Sequence, residues 1–498
     1  MNNSRRLYDV AIVGAGPTGV TLANLLGLYG LSVAIIERHP GILQIPRAVH
    51  IDGETMRVFQ SARLAREVMQ ILRPGASMHW VNAEGKVLLI RKGQEGLSDQ
   101  GWHNDYYFHQ PHLEAVLRDG LKRFDTVALR EGMDVRSYVE HDDRVELALS
   151  RTGDDAVIET LAARYVVGCD GARSTVRGWI GSDMEDLGQR QAWLVVDVNL
   201  HHPLPLPEHT VQHCDPARPA TSIYVYPLRR RWEIQIMPQD NPETITQPER
   251  VWQLLSRWVK PVQGTLERAA TYVFHSLVAN RWQRGRLLIA GDAAHLTPPF
   301  LGQGLCAGVR DAANLAWKLA FAIQRGASDI LATYGPERRP HVREFIRLAV
   351  EVGKVIQVTD PVEAAERDRK LLAEGLQFSF PRPQLGQAGA WYGELPAGQV
   401  FIQPMLQDGR WMDDVAGGRF SLLLHPAHSA DLSAQVLDLA TAADVVVLPL
   451  PDRSGIQWLE EHGARAVLLR PDRYVFEVIT QAAQLASALG RVRALTCG

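Results

Sequence analysis

Gly14-Ala15-Gly16-Pro17-Thr18-Gly19 is the first stretch whose residue types and spacing suit chemistry. It follows an apolar strand-like run, residues 8–13, and opens a helix-compatible stretch, residues 20–28. A second strand, residues 31–36, ends on Glu37. This is G-x-G-x-x-G inside a complete βαβ unit. Gly14 permits the tight turn, Gly16 leaves room for a pyrophosphate at the helix N-terminus, and Gly19 lets helix and strand approach. A carboxylate at the end of the second strand takes ribose hydroxyls. An acid there, in place of a base, favours FAD or NAD over NADP.

A second stretch, residues 286–324, runs from a buried strand into Gly291-Asp292, a loop carrying Pro298, Pro299, Gly302 and Gly304, and an amphipathic helix. Apolar residues recur there at helical spacing: Leu305, Val309, Ala313, Ala316, Leu319, Ile323. Such a loop leaves backbone N–H groups open at a helix N-terminus, and Asp292 is placed to accept from a polyol hydroxyl. Arg47 could contact a flavin or a phosphate. His50 and Asp52 hold alternating positions and could face a pocket. Gln110 stands at the start of a helix, to reach a ligand or to cap. Asp170-Gly171 is a turn signal, with Ser174 positioned to cap the next helix.

The elements that must position these residues follow in order. Residues 78–81 and 87–90 read as a hairpin, and residues 112–124 as an amphipathic helix. Strands dominate residues 193–273. Ile223 and Val225 fall on one face of their strand, Tyr224 and Tyr226 on the other, and residues 229–231 read as the turn to a partner strand, residues 232–237. Tyr224, Tyr226, Gln235 and Met237 are the pocket candidates of this separate antiparallel sheet. Residues 334–358 are helical, residues 376–398 read as a linker, and a small α/β unit closes the chain, with a last helix over residues 480–489.

A chain of 498 residues suits two or three domains. A net charge of −3 gives no basic field for nucleic acid. Four cysteines, with no C-x-x-C pair, mark neither a disulfide scaffold nor a metal site, and fit a reducing cytoplasm. No run approaches the roughly 18 apolar residues of a membrane span, and no signal-type core opens the chain.

Three fingerprints stand in sequence order: the glycine motif with Glu37, C-D-G-A-R-S-T-V-R at 169–177, and G-D-A-A-H-L-T-P-P with G-Q-G at 291–304. Together they resemble the group A flavoprotein monooxygenases, the single-component FAD-dependent aromatic hydroxylases. Pro46-Arg47-Ala48, Trp193 to Asp197 and Cys214 to Pro219 are most similar to the branch acting on 3-(3-hydroxyphenyl)propionate. His50 stands where that branch has glycine, and Gly53 where it has a second acid.

The resemblance implies an α/β fold. A Rossmann-like FAD-binding domain (1–77 with 110–187 and 275–350) would join an antiparallel-sheet substrate domain (78–109 with 188–274). A connection (351–392) would lead to a thioredoxin-like domain without redox cysteines (393–498). It implies FAD contacts from Gly14, Gly16, Pro17, Thr18, Gly19, Glu37 and Arg38, from Arg47, Gln110 and Asp170, and from Gly291, Asp292, Pro299, Gly302, Gln303, Gly304 and Leu305. Pro298 and Gly302 would lie at the reacting centre, Pro298 also against substrate, with Asp52 or His50 drawing the phenol toward phenolate. The implied reaction hydroxylates a phenolic ring ortho or para to its hydroxyl, using NADH or NADPH and dioxygen through a flavin hydroperoxide. No metal is implied, and the usual assembly is a homodimer. The alternatives are a flavin reductase or oxidase on the same fold, a hydroxylase of a larger polycyclic phenol, and a non-catalytic FAD-binding protein.

Overall fold

The apolar run Leu7–Val13 forms a central parallel strand, buried from Val10 onward. It pairs in parallel with Val33–Glu37 on one side and Val157–Gly168 on the other, and Val157–Gly168 pairs in parallel with Leu287–Ile289. In this computed structural model the described residues are 6–44, 47–75, 77–92, 96–375, 377–378, 382–449 and 451–496. Pro46 and Cys497 fall outside them. Val13 is level with Gly168, and Gly168 with Ile289. The glycine motif, the Asp170 turn and the Asp292 turn therefore emerge side by side at the carboxyl ends of parallel strands, where open α/β sheets bind ligands. Helices Pro17–Leu28 and Gly304–Arg325 pack on this sheet through a buried apolar core.

A nine-stranded, mostly antiparallel sheet stands beside the first; its centre is Gly264–Ala279, Met184–Leu200, Arg229–Gln235 and Ala220–Tyr226. One face carries Leu194, Val196, Val198, Trp232 and Ile234, which pack with Val251 and Leu255 of helix Pro248–Leu255. The opposite face carries Trp193, Glu233, Gln235 and Thr221, which the register places on one side. The hairpin expected at residues 78–90 is present as Met78–Val81 and Val87–Arg91.

Several boundaries differ from the sequence reading; the helix read over residues 112–124 runs Gln110–Leu121, and two further differences have a visible cause. Residues 229–231 are not the turn: they begin the strand Arg229–Gln235, and the chain reverses at Pro227-Leu228, where Leu228 takes φ 63°. The three arginines fit inside a sheet because each has a partner. Arg231 pairs with Asp197 at 2.8 Å, Arg229 with Glu267 at 2.9 Å, and Arg230 lies over the Tyr224 ring. The last helix runs Gln484–Thr496 rather than 480–489, because the Gln484 side chain accepts from the backbone N–H groups of Thr480 and Gln481 and holds them in a turn.

The C-terminal unit is a four-stranded sheet in the order Val445–Val447, Phe420–Leu424, Ala466–Leu469, Val475–Ile479. The described part of the segment read as a linker is packed: the Gly386 N–H donates to the Glu337 carbonyl, and the Ala390 N–H to the Glu337 carboxylate at 2.6 Å. No helix among the described residues is long and apolar enough to cross a membrane.

Candidate active site

The glycine motif has the geometry its sequence implies. Gly14 sits at φ 103°, and a Cβ there would lie 2.4 Å from the Cys169 carbonyl oxygen of the neighbouring strand end. A Cβ on Gly19 would lie 2.2 Å from the Gly14 oxygen. Gly16 differs. It N-caps helix Pro17–Leu28 with no side-chain hydrogen bond, and a Cβ there meets nothing within 4 Å. The first helical N–H groups thus face open space. Glu37 shapes the turn by accepting from the N–H groups of Ala15 at 2.7 Å and His39 at 2.9 Å. Thr18 is the point where Gly291 and Gly308 approach; a Cβ on either would meet its hydroxyl at 2.6 and 2.3 Å.

Asp292 is exposed beside this cradle, and its carboxylate takes no hydrogen bond from a described residue. The turn that carries it is held from behind. The Asp311 carboxylate accepts from the Gly291 N–H at 3.0 Å, meets His295 at 2.7 Å and pairs with Arg338 at 2.8 Å. Asp170 has a structural task, accepting from Ser174 Oγ and from the N–H groups of Thr175 and Val176 to cap the next helix. Gln110 Oε1 accepts from the N–H groups of Arg47 and Ala48, and so fixes the segment from which Arg47 projects into solvent. Arg38 is exposed and pairs with Asp134 at 3.2 Å.

The loop of Pro298, Pro299 and Gly302 ends at the N-terminus of helix Gly304–Arg325, which has no side-chain cap. Gly302 is left-handed at φ 64°, and a Cβ on it would lie 2.8 Å from His50 Nδ1. His50 Nδ1 lies 3.3 Å from the Gly302 carbonyl, and Nε2 lies 2.7 Å from Asp105, which also pairs with Arg91 at 2.6 Å. Burial alone would strip the proton from His50; the hydrogen bond and charge of Asp105 outweigh it and hold the imidazole well above the ordinary histidine range. Asp105 resists burial through Arg91 and His50 and falls to about 2. Arg91, Asp105 and His50 thus leave one net positive charge behind the loop. Gln303 Oε1 accepts from Arg310, while its buried Nε2 has no partner, nor does the Thr297 hydroxyl.

Asp52 is engaged elsewhere. It N-caps helix Gly53–Ser61 by accepting from the N–H and hydroxyl of Thr55, and its second oxygen pairs with Arg310. Burial pushes its carboxyl up, but Arg310 and the Thr55 hydrogen bonds bring it below its ordinary value. Both oxygens are therefore committed.

The second sheet meets this loop on the face of Trp193, whose ring lies edge-on to Phe300 at 5.6 Å. Gln235 is directly opposite Trp193. Two residues along the same strand, Glu233 pairs with Thr221; two further, Arg231 donates to the Arg47 carbonyl at 2.7 Å. Glu233 is bracketed between two contacts with the first domain. It is 8% exposed and takes no hydrogen bond or ion pair from a described residue. Burial raises its carboxyl to about 6, against the pull of Arg231. Tyr224 pairs with Arg230 on the opposite face, with Arg73 and Arg230 over its ring, and Tyr226 is exposed. Of the four sheet residues singled out from sequence, Gln235 sits opposite Trp193; a register shift after Tyr224 sets Tyr226 opposite Arg229 at the exposed end of the hairpin, and Met237 lies half-buried just past the strand.

A family model described as an FAD binding domain matches residues 7–349. The chain belongs to the FAD-dependent aromatic hydroxylases. It is 35% identical to the probable NADH-specific resorcinol 4-hydroxylase of Rhodococcus jostii (strain RHA1), over 97% of this chain and 94% of that one. It is 36% identical to the 3-(3-hydroxy-phenyl)propionate/3-hydroxycinnamic acid hydroxylase of Burkholderia cenocepacia (strain HI2424), over 95% and 94%. The flavin-dependent monooxygenase PieE, solved with FAD and substrate, shares the fold, with a TM-score of 0.80 at 21% identity over 98% of this chain and 99% of that chain.

The residues present fit FAD. An aromatic hydroxylase of this family needs an open helix N-terminus for the pyrophosphate, and Gly16 leaves one. It needs an acceptor for the flavin's polyol chain, and Asp292 is unpartnered. It needs donors at the ring system, and Gln303 Nε2 is buried with none of its capacity used. Sequence reading missed Asp105, which holds His50 and is itself paired with Arg91, Arg310, which holds Asp52 and Gln303, and Asp311, which holds Gly291 and His295 of the third fingerprint.

The Gly16 geometry separates binding from folding. In Gly16→Val the apoprotein is expected to keep its circular dichroism spectrum and melting temperature, since a Cβ at this position meets no atom within 4 Å. FAD retention through gel filtration, read as the flavin-to-protein absorbance ratio, is expected to fall at least about tenfold. An equal loss of melting temperature would place Gly16 in the fold rather than the cradle.

Proposed function

We propose that this hydroxylase adds one oxygen atom to a single-ring phenol, with Glu233 accepting the phenolic proton. The balance is phenol, NADH, a proton and dioxygen giving hydroxylated phenol, NAD⁺ and water. Bound FAD supplies the electron transfer from nicotinamide and the activation of dioxygen. The observation that carries the reading is Glu233. It is a buried carboxyl without a partner, on the sheet face between Trp193 at the flavin loop and Arg231 at the Arg47 segment. Near neutral pH it is largely ionised yet still basic enough to draw a proton, which is the tuning general base catalysis uses. Ionising the hydroxyl makes the ring the better nucleophile.

Other residues support the site. Trp193 and Phe300 give it an apolar wall that keeps water out. The charge of the His50–Asp105–Arg91 cluster and the N-terminus of helix Gly304–Arg325 favour negative charge at the loop. His50, with both ring nitrogens engaged, steadies Gly302 and positions the loop.

Resorcinol, the phenol in the Rhodococcus relative's name, suits this surface best. On the Glu233 face the two arginines, Arg231 and Arg268, both lie against Asp197, at 2.8 and 3.7 Å, so a neutral diphenol is favoured over a carboxylate. One observation favours 3-(3-hydroxyphenyl)propionate instead. Arg73 lies over the rings of Tyr107 and Tyr224 with a buried Nε that has no partner, and it could take a propionate. NADH follows the same relative, and a cytoplasmic NADH pool suits it. The C-terminal sheet order, with one parallel and two antiparallel pairings, supports a thioredoxin-like unit; its role here is structural, since Arg470 reaches Glu337 of the first domain at 2.8 Å.

The test is NADH oxidation by FAD-loaded enzyme with each phenol, product and peroxide quantified. Resorcinol is expected to accelerate oxidation and to give hydroxylated product one-to-one with NADH. Coupling only with 3-(3-hydroxyphenyl)propionate would move recognition to Arg73. Peroxide alone with every phenol would make the protein an oxidase.

A further inference from the structure

A cavity of 280 Å³ lies between the first domain and the C-terminal unit. It runs along the middle of helix Gly304–Arg325 at Ala313, Ala316 and Trp317. At 1.5 Å rise per residue that is roughly 15 Å from the helix N-terminus at the flavin loop. We propose that this cavity binds a single-ring aromatic carboxylate, with Arg473 taking the carboxylate group, at a site separate from that of the phenol.

Charge is the first argument. Five arginines and two acids line the cavity. Both acids are engaged: Glu54 pairs with Arg310 at 2.6 Å and accepts from the Tyr474 hydroxyl, and Asp472 pairs with Arg470 at 2.6 Å. Arg57 and Arg310 are likewise matched, Arg57 by Asp413 at 2.9 Å through both oxygens and Arg310 by Asp52 and Glu54. The surplus rests on the other three. Arg63 makes no ion pair with a described residue, and the nearest acid to Arg419 is Asp444 at 4.0 Å. Arg473 is 3% exposed; its one ion contact, 3.3 Å from Nε, is to the Asp413 already held by Arg57. Its NH2 donates to the carbonyls of Asp413 and Gly417, while Nε and NH1 are buried with no hydrogen-bond partner. A buried guanidinium with two open donors is a costly arrangement unless an anion completes it. The planar guanidinium matches a carboxylate.

Shape is the second argument. Leu25, Val58 and the Trp317 indole make the wall apolar, which suits an organic anion rather than an inorganic one. An apolar cavity of about 150 Å³ holds benzene, so 280 Å³ admits a ring and a short carboxylate arm. Arg63 and Arg473 both hold left-handed backbone, φ 57° and 69°, a region non-glycine residues seldom adopt and one that concentrates at binding sites. The cavity also touches the active site through one residue. Arg310 lines it, and the same guanidinium reaches Asp52 and Gln303 Oε1 of the flavin loop. An occupant that shifts Arg310 therefore acts on the loop.

The test is isothermal titration of the FAD-loaded enzyme with 3-phenylpropionate, which has no ring hydroxyl and is not hydroxylated. Benzyl alcohol and inorganic phosphate serve as the ring-only and anion-only probes. Three variants accompany the wild type: Arg473→Gln, Ala313→Leu, which fills the cavity without removing a hydrogen bond, and Glu233→Gln. One saturable site is expected in wild type and Glu233→Gln, weakened at least about tenfold in Ala313→Leu and Arg473→Gln, and by as much for either control probe. Unchanged affinity in Ala313→Leu would overturn the proposal. So would phosphate binding as tightly as 3-phenylpropionate, loss of the site in Glu233→Gln, or no saturable heat.

Discussion

Glu233→Gln is expected to lower the hydroxylation kcat by roughly 10²- to 10⁴-fold, the range general base catalysis supplies, while the protein becomes no less stable. The two outcomes have one cause. The Glu233 carboxyl sits at about 6 in the fold against an ordinary 4.5, because burial disfavours its charge. A raised acid binds its proton in the folded state across the window from 4.5 to 6, so its charge opposes folding increasingly as pH rises through that window, by up to about 2 kcal/mol above it. Glutamine removes that opposition and keeps the shape. The wild-type rate is expected to rise with pH through an apparent value near 6 and then level, and the variant to lose that inflection. Rate measurements from pH 5 to 9 with thermal melts check both. A variant with wild-type rate and inflection would remove Glu233 from the mechanism.

The second large effect is on stability. Glu337 is fully buried and bridges Lys318 at 2.7 Å and Arg470 of the C-terminal unit at 2.8 Å, while accepting from the Ala390 N–H. Burial raises its carboxyl, but Arg470 and Lys318 outweigh it and hold it far below the usual carboxylate range. Glu337→Gln leaves the buried Lys318 without a carboxylate and Arg470 with Asp472 alone, and uncompensated buried charge costs about 3–5 kcal/mol. The denaturant midpoint is expected to fall accordingly. Because the folded value is depressed, the wild-type contribution is present above the ordinary carboxylate range and is lost as pH falls below it; the variant is expected to show a shallower loss over that span. Glu337→Gln with Lys318→Met, which removes a cation as well, is expected to recover part of the loss. An unchanged midpoint in the single variant would mean that the domains are held together elsewhere.

How much of this was legible in the sequence depended on how local the rule was. The Gly14 turn, the Gly16 opening and the Gly302 left-handed turn are set by residues within a few positions, and composition reveals them. The His50–Asp105–Arg91 cluster is not local. Pairing of the short strand His50–Asp52 with Asp105–Tyr107 brings it together, and no spacing signals that. Glu233 was hidden differently. Trp232-Glu233-Ile234-Gln235 alternates as a half-buried strand does, and Gln235 stands out on its polar face, but nothing in the alternation marks Glu233, two residues along the same face, which the fold turns toward the flavin loop. Tyr224 and Tyr226 were attractive for the complementary reason. Alternation within their strand was readable, but a register shift between the two, which alternation does not signal, pairs Tyr224 with Arg230 and Tyr226 with Arg229. Asp52 carried pocket-like spacing and proved to be a helix cap, the commoner task for an aspartate before a helix.

The most direct measurement is a turnover of the FAD-loaded enzyme with NADH and resorcinol under ¹⁸O-labelled dioxygen, with product examined by mass spectrometry. One labelled oxygen in each hydroxylated product, formed one-to-one with NADH consumed, is the expected result. NADH consumption with all of the label in peroxide, for resorcinol and 3-(3-hydroxyphenyl)propionate alike, would contradict hydroxylation as the function of this site.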